Sequence, residues 1–207
     1  MKKVILTIAA VLIVALGCFV LIKNGQKPVE PKLIVEDLIS LDREDMYANY
    51  GEYDYRWYES CIVLDKFLDE ENDGKVASVT NVFQVVIDLD STTYDVFVVQ
   101  YKHTLEGDTV EKKEGFWVED EPLNKEPINV TYEQAFNLVM QSNFVKPHSR
   151  HAVLRKEVGR YDCNPQYIFG DLEYDLYVDA VTGVVADKSP AFYQDTIVVE
   201  KPLGEWP

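Results

Sequence analysis

The chain opens on an unbroken apolar run and then switches between helical and strand periodicity. Val4–Ile22 carries no charge for 19 residues. Coiled as a helix, that run rises roughly 28 Å, close to the thickness of a hydrocarbon core. Residues 23–32 hold Asn24-Gly25, Pro28 and Pro31 and read as a short, stiff linker. Over Leu33–Tyr50, Val35, Leu38, Ile39 and Met46 fall near one face, with Glu36, Asp37, Asp42 and Glu44 on the polar side. That spacing predicts a helix ended by Gly51. From Tyr53 to Asp120 the period shortens. Runs over Tyr55–Leu68, Val76–Leu89, Tyr94–Lys102 and Thr109–Glu119 are separated by turn-forming clusters, the pattern of a four-stranded antiparallel meander. Val82 and Val86 oppose Phe83, and Phe97 and Val99 oppose Val96 and Val98. Both faces of this sheet are therefore expected to be covered, one by the 33–50 helix and the other by the C-terminal unit or a second chain.

Pro122 and Pro127 mark a boundary, after which the sequence repeats the same general plan. Thr131-Tyr132-Glu133-Gln134 has capping-box spacing, in which the threonine hydroxyl and the glutamine side chain each serve the other's backbone N–H. Behind it Tyr132, Ala135, Phe136, Val139 and Met140 form an apolar stripe that stops before Pro147. Shorter strand-like runs follow. Tyr174, Leu176, Val178 and Ala180 alternate with Asp175, Tyr177 and Asp179, and Asp179–Gly183 reads as a tight turn returning through Val184 and Val185. The expected fold class is α+β: an N-terminal transmembrane or signal helix, then two helix-plus-antiparallel-sheet units. The expected organisation is a start at 1–3, an apolar segment at 4–22, a linker at 23–32, units at 33–120 and 127–188, and a tail at 189–207.

The helix opening Thr131-Tyr-Glu-Gln-Ala135 and the closing hairpin Tyr177-Val-Asp-Ala-Val-Thr-Gly-Val-Val185 resemble those of PepSY-type domains. The resemblance covers residues 127–188. It implies an α+β module lying outside the cytoplasmic membrane that binds or restrains other proteins, peptidases among them. It transfers no catalytic residue.

Charge narrows the partners. The formal net charge is −16. Lys2, Lys3, Lys23 and Lys27 all lie in or beside the apolar segment, so residues from 28 onward carry 16 basic against 36 acidic residues, about −20. Such a field repels phosphate backbones, and no nucleic-acid partner is expected. The membrane is the expected partner of residues 4–22, beside an unidentified protein or peptide partner. Ala15-Leu16-Gly17-Cys18 resembles a lipobox, with Ala15 where that pattern has leucine, so lipidation at Cys18 is the alternative to an uncleaved anchor.

Candidate chemistry is sparse. Cys61 and Cys163 are expected as two separate buried thiols, with a disulfide between them the alternative in an oxidising compartment. His103, His148 and His151 lack the spacing of a zinc site. Asp69, Glu71, Asp73 and Gly74 partly match a calcium loop, but Thr80 stands where a bidentate glutamate is required, and an acidic hairpin tip is the expectation. No phosphate-binding or nucleophile-elbow motif is present. No cofactor, metal or catalytic residue is assigned. The expected function is that of a non-enzymatic, membrane-tethered extracytoplasmic module acting on a protein or peptide. The alternatives are a cell-envelope enzyme using Cys61 or Cys163, and a self-associating structural module. The anchor reading predicts a full-length intact mass and solubility only in detergent. A mass beginning at Cys18 plus lipid would replace it with a lipoprotein.

Overall fold

The computed structural model describes residues 31–88, 95–117, 120–157, 163–171 and 173–189. Two helices occur among them, α1 (Val35–Tyr50) and α2 (Tyr132–Gln141). The strands are β1 (Asp54–Leu64), β2 (Val76–Asp88), β3 (Asp95–Thr104), β4 (Gly107–Glu114), β5 (Asp120–Glu121), β6 (His151–Glu157), β7 (Gln166–Phe169), β8 (Leu176–Asp179) and β9 (Val185–Ala186). They form a single nine-stranded sheet in the order β4-β3-β2-β1-β6-β7-β8-β9, with β5 paired to β6. Every pairing is antiparallel.

This overturns the expected α+β fold of two helix-plus-sheet units. The described residues are mostly antiparallel sheet, with two short helices among them. The physical reason lies in β1 and β6, which sequence periodicity treats as the first strand of each unit. Both carry buried side chains along their length, Ile62 and Leu64 on one and Ala152 and Leu154 on the other. Neither is an edge. They pair from Glu59↔Arg155 to Val63↔His151, and the two strand sets fuse into one sheet. The C-terminal half therefore extends the sheet sideways and does not stack on it. No helix among the described residues is long and apolar enough to cross a membrane. The apolar run 4–22 and Ile197-Val198-Val199 lie outside the described residues.

One core lines the helix side of the sheet. Val35, Ile39 and Met46 of α1 join Trp57, Ile62, Leu64, Val79, Phe83, Val85, Phe97 and Val99 beneath it. Tyr132, Ala135, Phe136 and Val139 of α2 join Leu154, Tyr167, Phe169, Leu176 and Val178 in the same cluster. The capping box on α2 is complete: Gln134 N donates to Thr131 Oγ1 (3.2 Å) and Thr131 N to Gln134 Oε1 (2.9 Å). The next amide, Tyr132 N, donates to Glu36 Oε1 of α1 at 2.6 Å, so the first turn of one helix holds the start of the other.

A bulge in β1 decides which side chains reach which face. Trp57 pairs with Phe83, but Glu59 pairs with Val82, leaving Tyr58 as an extra residue. Before it the odd positions Tyr55 and Trp57 join the helix-side core; after it the even positions Ile62 and Leu64 do. Glu59 and Cys61 are thereby turned to the opposite face. The loop after β5 fills the space beside the first half of β1: Leu123 N donates to Trp57 O (2.7 Å) and Trp57 N to Asn124 Oδ1 (2.6 Å).

Fusion through β1 and β6 predicts one cooperative unfolding transition for residues 32–189. Leu154→Ala, in the second half, should cost about 2–5 kcal/mol. It should lower the urea midpoints of tryptophan fluorescence and far-ultraviolet circular dichroism together. Two separable transitions would contradict the single sheet.

Candidate functional site

Asp42 is the residue that sequence periodicity misplaces. It does not lie on the polar side of α1 but on the buried stripe Val35, Ile39, Asp42, Met46. The signal was its place three residues after Ile39 and four before Met46. Its carboxylate is 2 % exposed and collects a chain of polar contacts across the core. Ser60 Oγ of β1 donates to Asn81 Oδ1 of β2 (2.5 Å), and Asn81 Nδ2 donates to Asp42 Oδ2 (2.6 Å). His103 Nε2 of β3 lies 2.9 Å from the same oxygen and 3.0 Å from Oδ1. The other ring nitrogen, Nδ1, lies 3.1 Å from Asp108 Oδ1 of β4. That second contact lacks the alignment of a directed hydrogen bond. Burial pushes the Asp42 carboxyl above the usual carboxylate range, and the hydrogen bonds from Asn81 and His103 pull it back part of the way.

Serine, histidine and aspartate here do not form a nucleophilic triad. Ser60 donates to Asn81 and not to the imidazole, and Ser60, Asn81 and Asp42 are all buried. What the chain does is join four consecutive strands and α1, ending on Asp108 in the strand at the edge of the described sheet.

That edge is β4. All eight of its residues are exposed, and it ends the strand order. Val110 is 62 % exposed, with exposed Leu105 and Phe116 just beyond either end. Gly115 N donates to Val96 O, continuing the β3–β4 register, so the odd residues of β4 turn their backbone groups toward β3. Asp108, Val110, Lys112 and Glu114 therefore present their backbone N–H and C=O groups outward. Their side chains share the helix-side face: Asp108 meets His103, and Lys112 Nζ sits 3.3 Å over the Phe97 ring.

The opposite face holds a second buried group. Cys61 Sγ donates to Glu59 Oε1 (3.1 Å), and Arg155, cross-strand from Glu59, lies 3.7 Å from Asp120 Oδ1. Trp117 Nε1 donates to Asp120 Oδ2 at 3.3 Å. Burial raises the Glu59 carboxyl to about 7, reinforced by Asp120 and opposed by the Cys61 and Arg155 contacts. Burial first, and then Glu59, pushes the Cys61 thiol well above its ordinary value, so the thiolate that nucleophilic or redox chemistry needs is disfavoured. Burial also raises the Cys163 thiol. Both cysteines are free thiols in the structure. Cys18 lies outside the described residues.

The remaining candidates resolve locally. His148 stacks on Phe67 (4.1 Å, 5°) and contacts Asp69 at 2.9 Å, while His151 begins β6. The acidic turn is organised by Asn72, whose side chain donates to Lys66 O and Phe67 O and accepts from Gly74 N. No group of three or more metal-ligating side chains occurs among the described residues. Comparison with protein-family models, curated proteins and solved structures finds no match for this chain.

Glu59 makes stability depend on pH. Its folded-state pKa is raised from 4.5 to about 7. Its stabilising effect is therefore complete below the unfolded value and is lost as pH rises through about 7, a swing on the order of 3 kcal/mol. Glu59→Gln keeps an acceptor for Cys61 and removes the titration. Urea midpoints at pH 5 and pH 8 should differ less in this variant than in the parent. An unchanged difference would remove Glu59 as the source.

Proposed function

We propose that this protein is a non-catalytic, membrane-tethered extracytoplasmic module that binds and regulates a protein or peptide by taking up an added strand at β4. The observation that carries the reading is the β4 edge: eight exposed residues, a row of outward backbone donors and acceptors, and exposed Leu105, Val110 and Phe116 along it. Main-chain hydrogen bonds supply affinity in strand addition, and alternate side chains supply selectivity. The tether is the apolar run 4–22. The resemblance of residues 127–188 to PepSY-type domains fits a role in restraining another protein. The thiol-enzyme alternative is weaker, because burial and Glu59 hold the Cys61 thiol protonated.

Outward geometry at Val110 allows a specific test. Proline there removes an N–H that β3 does not use, so the ladder survives while an incoming strand loses a donor. A photo-crosslinking residue at Phe116 in the full-length, membrane-expressed chain should give a discrete protein adduct that Val110→Pro abolishes. The same residue at exposed Val145 should not. Adducts that ignore the proline, or that match at both positions, would remove β4 as the binding edge.

A further inference from the structure

We infer that the strand β4 accepts is the β4 strand of a second copy of this chain, paired antiparallel about a two-fold axis at Val110. The inference rests on the reading of β4 as a binding edge and names its partner.

Three features of β4 lead there. The first is backbone parity. A two-fold axis that continues an antiparallel sheet stands normal to it and keeps each face on its own side. Even residues must therefore meet even residues. Val110 is even, and its N–H and C=O point outward, so Val110 can exchange both bonds with the partner's Val110. Asp108 and Lys112 are also outward-facing and extend the ladder in both directions.

The second is charge. Centred on Val110, Asp108 stands opposite the partner's Lys112, and Lys112 opposite the partner's Asp108. Thr109 then meets the partner's Glu111, and the apolar Val110 pair sits on the axis. Moving the axis to Glu111 sets that residue against its own copy and Asp108 against the partner's Glu114. Moving it to Lys112 sets two lysines together. Moving it to Thr109 sets Asp108 against the partner's Val110 and carries Lys112 to the partner's Glu106, in the turn outside β4. Like charges directly opposite destabilise a pairing and opposite charges support it. Charged edge strands ordinarily repel arbitrary neighbours, and here the same charges admit one self-pairing register.

The third is net charge. A chain of −16 resists its own copy, but β4 carries Asp108, Glu111 and Glu114 against Lys112 and Lys113, close to neutral. Repulsion from the rest is screened beyond about 8 Å at physiological ionic strength. The Asp42–His103–Asp108 contacts hold this edge strand against α1, so the acceptor edge is set before the partner arrives.

The test is site-specific cross-linking of the full-length chain in its membrane or in detergent. Hydrogen-bonded cross-strand positions sit about 5.5 Å apart between Cα atoms, within disulfide reach. Val110→Cys should yield an oxidised dimer, whereas Thr109→Cys should not rise above the parent chain, whose own cysteines set the background. In the Val110→Cys background, Asp108→Lys and Lys112→Asp should each cut the dimer about tenfold, corresponding to about 1.4 kcal/mol. Mixing those two variants in equal amounts should restore it, because each then supplies the charge the other needs. That restoration also shows that both variants are folded. A Val110→Cys chain that stays monomeric while Phe116 still captures another protein in a proline-sensitive way overturns self-pairing and leaves the binding edge intact. Failure of both overturns both. Dimers that ignore the charge reversals overturn the register and with it the proposal.

Discussion

Everything in this fold depends on the antiparallel pairing of β1 with β6. Five residue pairs, Glu59↔Arg155 to Val63↔His151, join strands roughly 90 residues apart in the chain, and each then acts as the platform for the strands beyond it. From that seam β2, β3 and β4 step outward on one side and β7, β8 and β9 on the other. The helices lie on one face, linked at their first turns by Glu36 and the Tyr132 amide. Closing so distant a contact is entropically costly, and the continuous helix-side core that it allows is what offsets the cost.

Within that frame the polar chain from Ser60 to Asp108 is the principal departure from an apolar core. A buried carboxylate with one partner missing is far worse than an apolar replacement, so such chains hold their members in one arrangement. Here the arrangement fixes α1 against four consecutive strands. It also connects the most buried acidic side chain of α1 to an edge strand whose every residue meets solvent. The carboxyl group on the other face, Glu59, is treated differently: it lies beside a thiol and a second acid, and burial keeps its proton on at pH values where surface carboxyls have lost theirs.

Legibility in the sequence followed the distance over which each feature is decided. The capping box at Thr131 and Gln134 and the turn at Asp179–Gly183 involve residues within four positions of one another, and both were readable. Most strand segments were readable as well, but the fourth was drawn to Glu119 where β4 ends at Glu114, and β5 was not drawn at all. The neighbour of β1 was not, because nothing local distinguishes a first strand that ends a sheet from one that continues it. Asp42 escaped because an acid on an apolar stripe is judged polar until its partners, Asn81 and His103, are known. The face of Cys61 and Glu59 was not legible either, because it is set by the one extra residue, Tyr58. The edge at β4 was hidden for a similar reason: strand order is set by pairings between distant segments, and only those pairings show that the order of the described strands ends at β4.

The bulge at Tyr58 gives β1 two phases. Its first half faces the loop at Leu123 and Asn124 and its second half faces β6, and the alternation reverses between them. The bulge is where β1 absorbs one extra residue, Tyr58, without losing its pairing to β2. Losing one residue between Trp57 and Glu59 would leave the composition of the strand almost unchanged. It would close the bulge into a regular ladder, with Trp57 still opposite Phe83 and Glu59 still opposite Val82, so every side chain would keep its face. The same loss a few residues later, in the regular ladder opposite β6, would instead exchange the faces on one side of the cut.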